Sequence, residues 1–277
     1  MIDSVVNQKG CCMANTALLT DVSAIWKNPR LIVLTAVSSA LYAAAYIVLA
    51  PFSIHLIPGV LGIALRGVMP LAMGLLFGPA GALGVGIGNT IGDVIGGSLG
   101  PGSPFAFLSN FLLAYLPYRY WRRKAFGIGG PGYRLLLPED RHRGRSVVAF
   151  GVAAVLIGAA GAIPLAWGLN LLGFVPFRVS VISLFVNFAL GNLASGLLYT
   201  LIAPRVARIN MTWDAIVAGP LPDRTTAVRS TGRVLGVALT AGGGVSGCLL
   251  GLTVGSSAAT PLVAVPLLAV LIGAALI

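Results

Sequence analysis

The sequence predicts an all-α membrane protein, a polytopic helical membrane bundle with a six-helix core plus a C-terminal two-helix hairpin. Of the 277 residues, 57% are hydrophobic and only 9% are charged, whereas soluble domains carry about 25% charged residues. The mean hydropathy is +0.94. The apolar residues form continuous blocks long enough to cross a bilayer, and they lack the ten-residue alternation of barrel strands.

Eight apolar blocks are predicted to span the membrane. They cover residues 31–50, 59–77, 80–98, 104–120, 146–169, 179–203, 234–254 and 260–277. Residues 1–30 lack the apolar core and cleavage site of a secretory signal, so they are expected to form an N-terminal cytoplasmic segment that starts at Met1 or Met13. The predicted regions that follow are a six-helix substrate-binding membrane domain (31–203), a cytoplasmic connector (204–233) and an additional two-helix hairpin (234–277).

The basic residues predict that both termini are cytoplasmic. With eight spans, all of the 18 Lys and Arg residues except Arg66 and Arg178 fall on one side of the membrane, and cytoplasmic loops are the ones that retain Lys and Arg. The expected location is the plasma membrane of a prokaryote. The net charge of +11 suits anionic lipid headgroups. Nucleic acid is not an expected partner, because no nucleic-acid motif or stacking platform accompanies the charge.

Polar side chains from several predicted spans reach one depth in the outer half of the bilayer. At a rise of about 1.5 Å per residue across a core of about 30 Å, four of them come out roughly 7 to 12 Å deep. Ionisable groups in a bilayer normally face a cavity or a partner. The candidate substrate contacts are Arg66, Asp93, Asn110 and Asn187 at this depth, Asn89 deeper, and Trp167 and Asn170 near the outer mouth.

These candidates have a second interpretation that the sequence leaves open. Arg66 and Asp93 also suit a structural ion pair, or snorkelling to the nearer interface. Asparagines in membrane helices often serve only as hydrogen bonds between helices, and tryptophan is common as an interfacial anchor.

Small residues at a spacing of four predict close helix packing at two places. One is a glycine ladder around Asp93, formed by Gly84, Gly88, Gly92 and Gly96. The other is a stripe on the first span, formed by Ala36, Ala40 and Ala44. Such stripes accept another helix at short range, and for the alanines that helix belongs either to this chain or to a partner.

Three features together resemble the substrate-capture (S) subunits of energy-coupling-factor (ECF) vitamin transporters. They are the alanine stripe, the segment LRGVMPLAMGLLFGPAGALGVGIGNTIGDVIGG at 65–97, and SNFLLAYLPYRYWRR at 109–123. The resemblance covers residues 31–203, and residues 204–277 depart from it. It implies a six-helix subunit that binds a vitamin or related micronutrient from outside. It also implies two kinds of partner, a transmembrane coupling protein and two ATPase subunits that power import.

The resemblance also implies roles for particular residues. Ala36, Ala40 and Ala44 would dock on the coupling protein, and the polar candidates would line the vitamin site. No cofactor and no enzymatic activity are expected, and the sequence has no GxxxxGK[ST] phosphate loop. His55 and His142 fall in loops on opposite sides, which predicts no shared metal site. The alternative function is a self-sufficient secondary carrier or channel that uses Asp93 for ion coupling.

Overall fold

The computed structural model describes residues 17–57, 61–122, 124, 135–137, 143–217, 227–253 and 256–276. Met1, Met13 and His142 lie outside these ranges. The helices are α1 (Ala17–Lys27), α2 (Pro29–Leu49), α3 (Met69–Ile95), α4 (Ser103–Arg122), α5 (Arg143–Leu171), α6 (Phe177–Arg208), α7 (Trp213–Ile216), α8 (Ala227–Thr253) and α9 (Ser256–Leu276). A short antiparallel pair, β1 (Ile54–Ile57) and β2 (Leu61–Ile63), joins α2 to α3.

The predicted fold class, a helical membrane bundle, is confirmed. Five helical segments of the described residues are long and apolar enough to cross a membrane: Pro29–Phe52, Leu65–Ile95, Gly144–Leu171, Phe177–Ile216 and Val234–Thr253. A shorter apolar helix covers Leu262–Leu276. The helix α4 is less apolar because it carries asparagine, tyrosine and arginine residues, and most of its side chains are buried among its neighbours.

The predicted second and third spans meet at a bend inside α3. Gly78 has φ 55° and ψ −138°, outside the helical region, and Pro79 follows it. In a straight helix, residues 73 and 81 would lie about 12 Å apart along the axis. A Cβ atom at Gly81 would nevertheless overlap the carbonyl oxygen of Met73. The chain therefore turns sharply at Gly78, at the predicted boundary between the two spans.

The predicted start of the second span at residue 59 is wrong. Residues 61–63 form β2, and a 3₁₀ turn at Leu65–Val68 leads into α3 at Met69. The apolar stretch before the turn is used for strand pairing with β1, so hydropathy alone overextended the helix. As a result, Arg66 lies in the turn rather than within a long helix.

The glycine ladder brings α3 against α2, as the packing interpretation predicts. A Cβ atom at Gly88 would lie 2.6 Å from the carbonyl oxygen of Ser39, and one at Gly92 would lie 2.5 Å from the Tyr46 ring. A side chain at either position would force the helices apart. The ladder therefore holds the tyrosine-bearing face of α2 against the helix that carries Asp93.

The other face of α2 carries the alanine stripe. Ala36, Ala40 and Ala44 are all exposed, so the stripe does not pack against the described part of the chain. The additional hairpin of α8 and α9 lies mainly against α5, where a Cβ atom at Gly244 would lie 2.8 Å from the backbone nitrogen of Ala160. The hairpin thus leaves the stripe uncovered.

One end of the bundle, which we call the basic end, holds α1, α7 and the bend in α3. Arg119 Nη1 forms an ion pair with Asp21 of α1 at 2.9 Å, and Arg122 pairs with Asp214 of α7. Trp213 is buried and lies against Gly78, where an added Cβ atom would come within 2.8 Å of the indole. These contacts close the basic end.

Candidate functional site

A cavity of about 110 Å³ lies toward the other end of the bundle. A water molecule needs about 10 to 15 Å³ of such space, so the cavity has room for several waters or a small organic group. It is lined by residues of α2, the 3₁₀ turn and the four helices α3 to α6. They are Tyr42, Ala64, Arg66, Gly67, Pro70, Asn89, Asp93, Ala106, Asn110, Leu113, Leu165, Leu184, Asn187 and Phe188.

Five of the seven predicted polar candidates meet in this cavity. They are Arg66, Asn89, Asp93, Asn110 and Asn187. Residues at equal depth on neighbouring helices face one another when the helices pack side by side, which explains why the four residues predicted at one depth meet here. Asn89, predicted to lie deeper, is one turn from Asp93 on α3.

Asp93 is buried, with 7% of its surface exposed, and neutral donors surround its carboxylate. Oδ1 accepts a hydrogen bond from Tyr46 Oη at 2.9 Å. Oδ2 accepts from Ser103 Oγ at 3.0 Å and from Asn89 Nδ2 at 3.3 Å, and Ser98 Oγ lies 3.5 Å from Oδ1. Hydrogen bonds to the charged form compensate for the loss of water around a buried carboxylate.

The network extends from Asp93 across the cavity wall. Asn89 Oδ1 accepts from Asn110 Nδ2 at 3.2 Å, and Asn110 Oδ1 accepts from Tyr42 Oη at 2.9 Å. Because Tyr42, Asn89 and Asn110 belong to three different helices, these bonds fix α2, α3 and α4 relative to one another around the cavity.

Arg66 contacts α2 through a ring rather than through a carboxylate. Its guanidinium carbon lies 4.1 Å from the centre of the Tyr46 ring, within the range of a cation–π interaction. Within the described residues, no carboxylate oxygen lies within 4.0 Å of Arg66, and the ion pairs are those of the basic end. The structure therefore contains no direct Arg66–Asp93 ion pair: the Tyr46 ring contacts Arg66 and its hydroxyl contacts Asp93.

Asn187 supports the segment that carries Arg66. Its Oδ1 accepts a hydrogen bond from the backbone N–H of Ala64 at 2.9 Å. One turn further along α6, a Cβ atom at Gly191 would lie 2.7 Å from the carbonyl oxygen of Gly67, so only glycine allows this approach. The 3₁₀ turn is thereby held against α6.

Two predicted contacts, Trp167 and Asn170, do not line the cavity. Trp167 packs edge-on against Phe105, with ring centres 5.8 Å apart. Asn170 Oδ1 accepts from the backbone N–H of Phe177 at 3.1 Å, which ties the end of α5 to the start of α6. Both residues lie near the end of α5, past its cavity residue Leu165.

Sequence reasoning missed Tyr42, Tyr46 and Ser103. The two tyrosines lie one helical turn apart in α2, on the face opposite the alanine stripe, and this spacing was a usable signal. Ser103 gave none, because a serine at the start of an apolar block is a common helix cap. The apolar lining residues Leu113 and Leu184 resemble any other core leucine in sequence.

The fold and the cavity define a multi-pass membrane protein that holds a small polar cavity toward one end of its bundle. Residues 27–127 match the model of the family described as "ECF-type riboflavin transporter, S component". No curated protein and no solved structure matches the chain.

The family match confirms the predicted ECF S-component resemblance over the range that it covers. That range is less than half of the chain and includes α2, α3 and α4. It therefore contains Arg66 and the whole Asp93 network, while α5, α6 and the hairpin lie beyond it. Residues 27–127 are accordingly similar to a substrate-capturing transporter subunit.

Proposed function

We propose that the chain captures a vitamin or related micronutrient from outside a prokaryotic cell and delivers it to an ATP-driven ECF import complex. The observation that carries this proposal is the cavity, in which polar side chains from α3, α4 and α6 converge with Arg66. Polar and ionisable side chains inside a membrane bundle are costly and commonly mark a solute site. Arg66, Asn89, Asp93, Asn110 and Asn187 are its proposed polar wall.

The orientation follows from charge. On α4, Asn110 lines the cavity and Arg119 lies nine residues later, about 14 Å along the helix axis. Basic residues are retained on the cytoplasmic side, so the basic end faces the cytoplasm and the cavity faces outward. Both termini are then cytoplasmic.

Docking on the coupling protein is assigned to the exposed face of α2. Ala36, Ala40 and Ala44 present small side chains along one stripe, and small residues permit close contact between helices in a membrane. The proposed partners are the transmembrane coupling protein and, through it, two ATPase subunits. The chain itself is proposed to act without cofactor and without catalysis.

Riboflavin is the first compound to test, because the matched family's description names it. The purified chain is titrated with riboflavin and a panel of other vitamins, and binding is measured by calorimetry and by the shift in melting temperature. Saturable binding of one compound by the isolated chain is the expected result. Absence of binding across the panel contradicts outward capture.

Dependence on partners is tested by uptake in cells that express the chain with or without the coupling protein and ATPases. Ala40→Leu on the stripe is expected to keep substrate binding and to lose uptake. Ala194→Leu is the matched control, since Ala194 is an exposed alanine on α6. Equal loss in both variants contradicts the assignment of the stripe.

The same uptake assay decides the alternative of a self-sufficient carrier that uses Asp93. That alternative requires uptake by the chain alone, driven by an ion gradient and lost in Asp93→Asn. In the structure, Asp93 is surrounded by hydroxyl and amide donors, and this arrangement gives no specific support to ion coupling.

A further inference from the structure

The cavity has two charged lining residues, and their neighbours satisfy them to different extents. A carboxylate offers about four acceptor positions. In Asp93 three are used by Tyr46, Asn89 and Ser103 at 2.9 to 3.3 Å, with the Ser98 hydroxyl at 3.5 Å. Little acceptor capacity remains on Asp93 for a ligand.

The hydrogen-bond donors of the cavity, by contrast, are only partly used by neighbouring residues. A guanidinium carries five N–H donors in a planar fork. Stacking on Tyr46 engages the face of Arg66, and its edge also contacts the Tyr42 hydroxyl, which leaves most of the N–H edge for other partners. Arg66 is half-buried and has no carboxylate within ion-pair distance in the described ranges. Asn187 adds a second donor, because its Oδ1 is used by Ala64 and no described residue accepts from its Nδ2.

The remaining amides add only neutral acceptor capacity. Asn89 Oδ1 and Asn110 Oδ1 each accept one hydrogen bond within the network, and each amide oxygen keeps a second lone pair. Of the two charged lining residues, Arg66 is thus the one whose hydrogen-bonding capacity is less used. Such a cavity is complementary to an anionic oxygen group, and a guanidinium fork matches a planar carboxylate in particular.

We propose that Arg66 is the anchor for a carboxylate on the substrate, and that Tyr46 is the positioning residue that directs this anchor. Asp93 acts through Tyr46 and does not touch the ligand. This inference rests on the proposed capture function and specifies the class of compound captured: a small micronutrient with a carboxylate group.

The roles of the two parts of Tyr46 are separable. The ring lies under the guanidinium, and the hydroxyl donates to Asp93 Oδ1 at 2.9 Å. The ring therefore limits the directions available to Arg66, while the hydroxyl prevents the ring from rotating away. Tyr46 does not itself line the cavity, so it acts on the ligand only through Arg66.

The test compares the affinities of matched acid and amide compounds for the detergent-purified chain. The pairs are nicotinate with nicotinamide and biotin with biotin amide, and riboflavin serves as a probe without a carboxylate. Wild type is expected to prefer the acid of at least one pair by about 10- to 100-fold, the range of a charge-assisted hydrogen-bonded contact. Melting curves verify that each variant is folded.

Five variants test the anchor, the positioning residue and the background. Arg66→Gln is expected to abolish the acid-to-amide preference, whereas Arg66→Lys retains part of it because the charge remains. Tyr46→Leu is expected to reduce the preference by about tenfold through loss of the cation–π contact, and Tyr46→Phe by less. Arg205→Ala is the control: this exposed arginine at the end of α6 bonds only a backbone carbonyl, and its removal leaves the preference unchanged.

The outcomes distinguish this inference from the proposed function. Tight riboflavin binding that Arg66→Gln does not weaken overturns the carboxylate anchor and leaves substrate capture intact. An acid preference that Tyr46→Leu leaves at the wild-type value overturns the positioning role. If wild type binds none of the acids but binds a vitamin without a carboxylate, the anchor is overturned and the capture function stands. Absence of binding across the whole vitamin panel counts against both.

Discussion

Replacing Asp93 by alanine tests whether its hydrogen-bond network holds the cavity together. The change removes the acceptor of three hydrogen bonds, from Tyr46, Ser103 and Asn89 at 2.9, 3.0 and 3.3 Å. Hydrogen bonds between membrane helices contribute about 0.6 to 1.7 kcal/mol each, and we apply the same range to the bond from Asn89, which lies within α3. Three bonds then correspond to a loss of about 2 to 5 kcal/mol in the free energy of unfolding.

The assay is thermal unfolding of the detergent-purified chain. For a chain of this size each kcal/mol shifts the midpoint by about 2 to 4 °C, so Asp93→Ala is expected to lower it by roughly 4 to 20 °C. Asp93→Asn is expected to lie between alanine and wild type. Its Oδ1 still accepts from Tyr46, but its amide N–H₂ faces the donor of Asn89.

Ser38→Ala provides the matched control. Ser38 is fully buried in α2, and its hydroxyl has no hydrogen-bond partner among the described residues. Removing it deletes a buried polar atom without breaking a bond, so a shift of less than about 0.5 kcal/mol, or a slight stabilisation, is expected. A midpoint for Asp93→Ala equal to that of Ser38→Ala would refute the reasoning.

Three further substitutions test the packing and the limits of the site. Gly74→Ala places a Cβ atom 2.6 Å from the carbonyl carbon of Ala114, so it is expected to cost about 1 to 3 kcal/mol by overpacking. Gly151→Ala, which meets nothing within 4 Å, is expected to be silent in the same melting assay. Trp167→Ala removes the contact with Phe105 and is expected to lower the melting temperature while changing substrate affinity by less than about twofold. A tenfold loss of affinity would show instead that Trp167 contributes to substrate binding.

Much of the candidate site was accessible from sequence because a bilayer restricts polar residues to few places. Arg66, Asp93, Asn110 and Asn187 stand out against apolar spans, and a fixed rise per residue converts their positions into depth. Trp167 and Asn170 were assigned by the same argument but do not line the cavity. Depth does not specify which way a side chain faces around the helix axis.

Depth also could not decide whether Arg66 and Asp93 form a direct ion pair. Arg66 and Asp93 share a level, yet Tyr46 contacts both. Its ring comes from α2, whose position is set by the glycines of α3. A contact among three segments depends on how closely each pair of segments packs. The sequence pattern does not specify these distances between segments.

The sequence by itself determined the class of protein and the approximate limits of most of the described helices. These properties depend on local composition: hydrocarbon excludes charge, and about twenty apolar residues cross it. Only the tertiary structure decided the strand pair before α3, the place of the hairpin against α5, and the hydroxyl and amide donors around Asp93. Those features arise from contacts between residues far apart in the chain, where side-chain shape and direction select one arrangement among many of equal hydropathy.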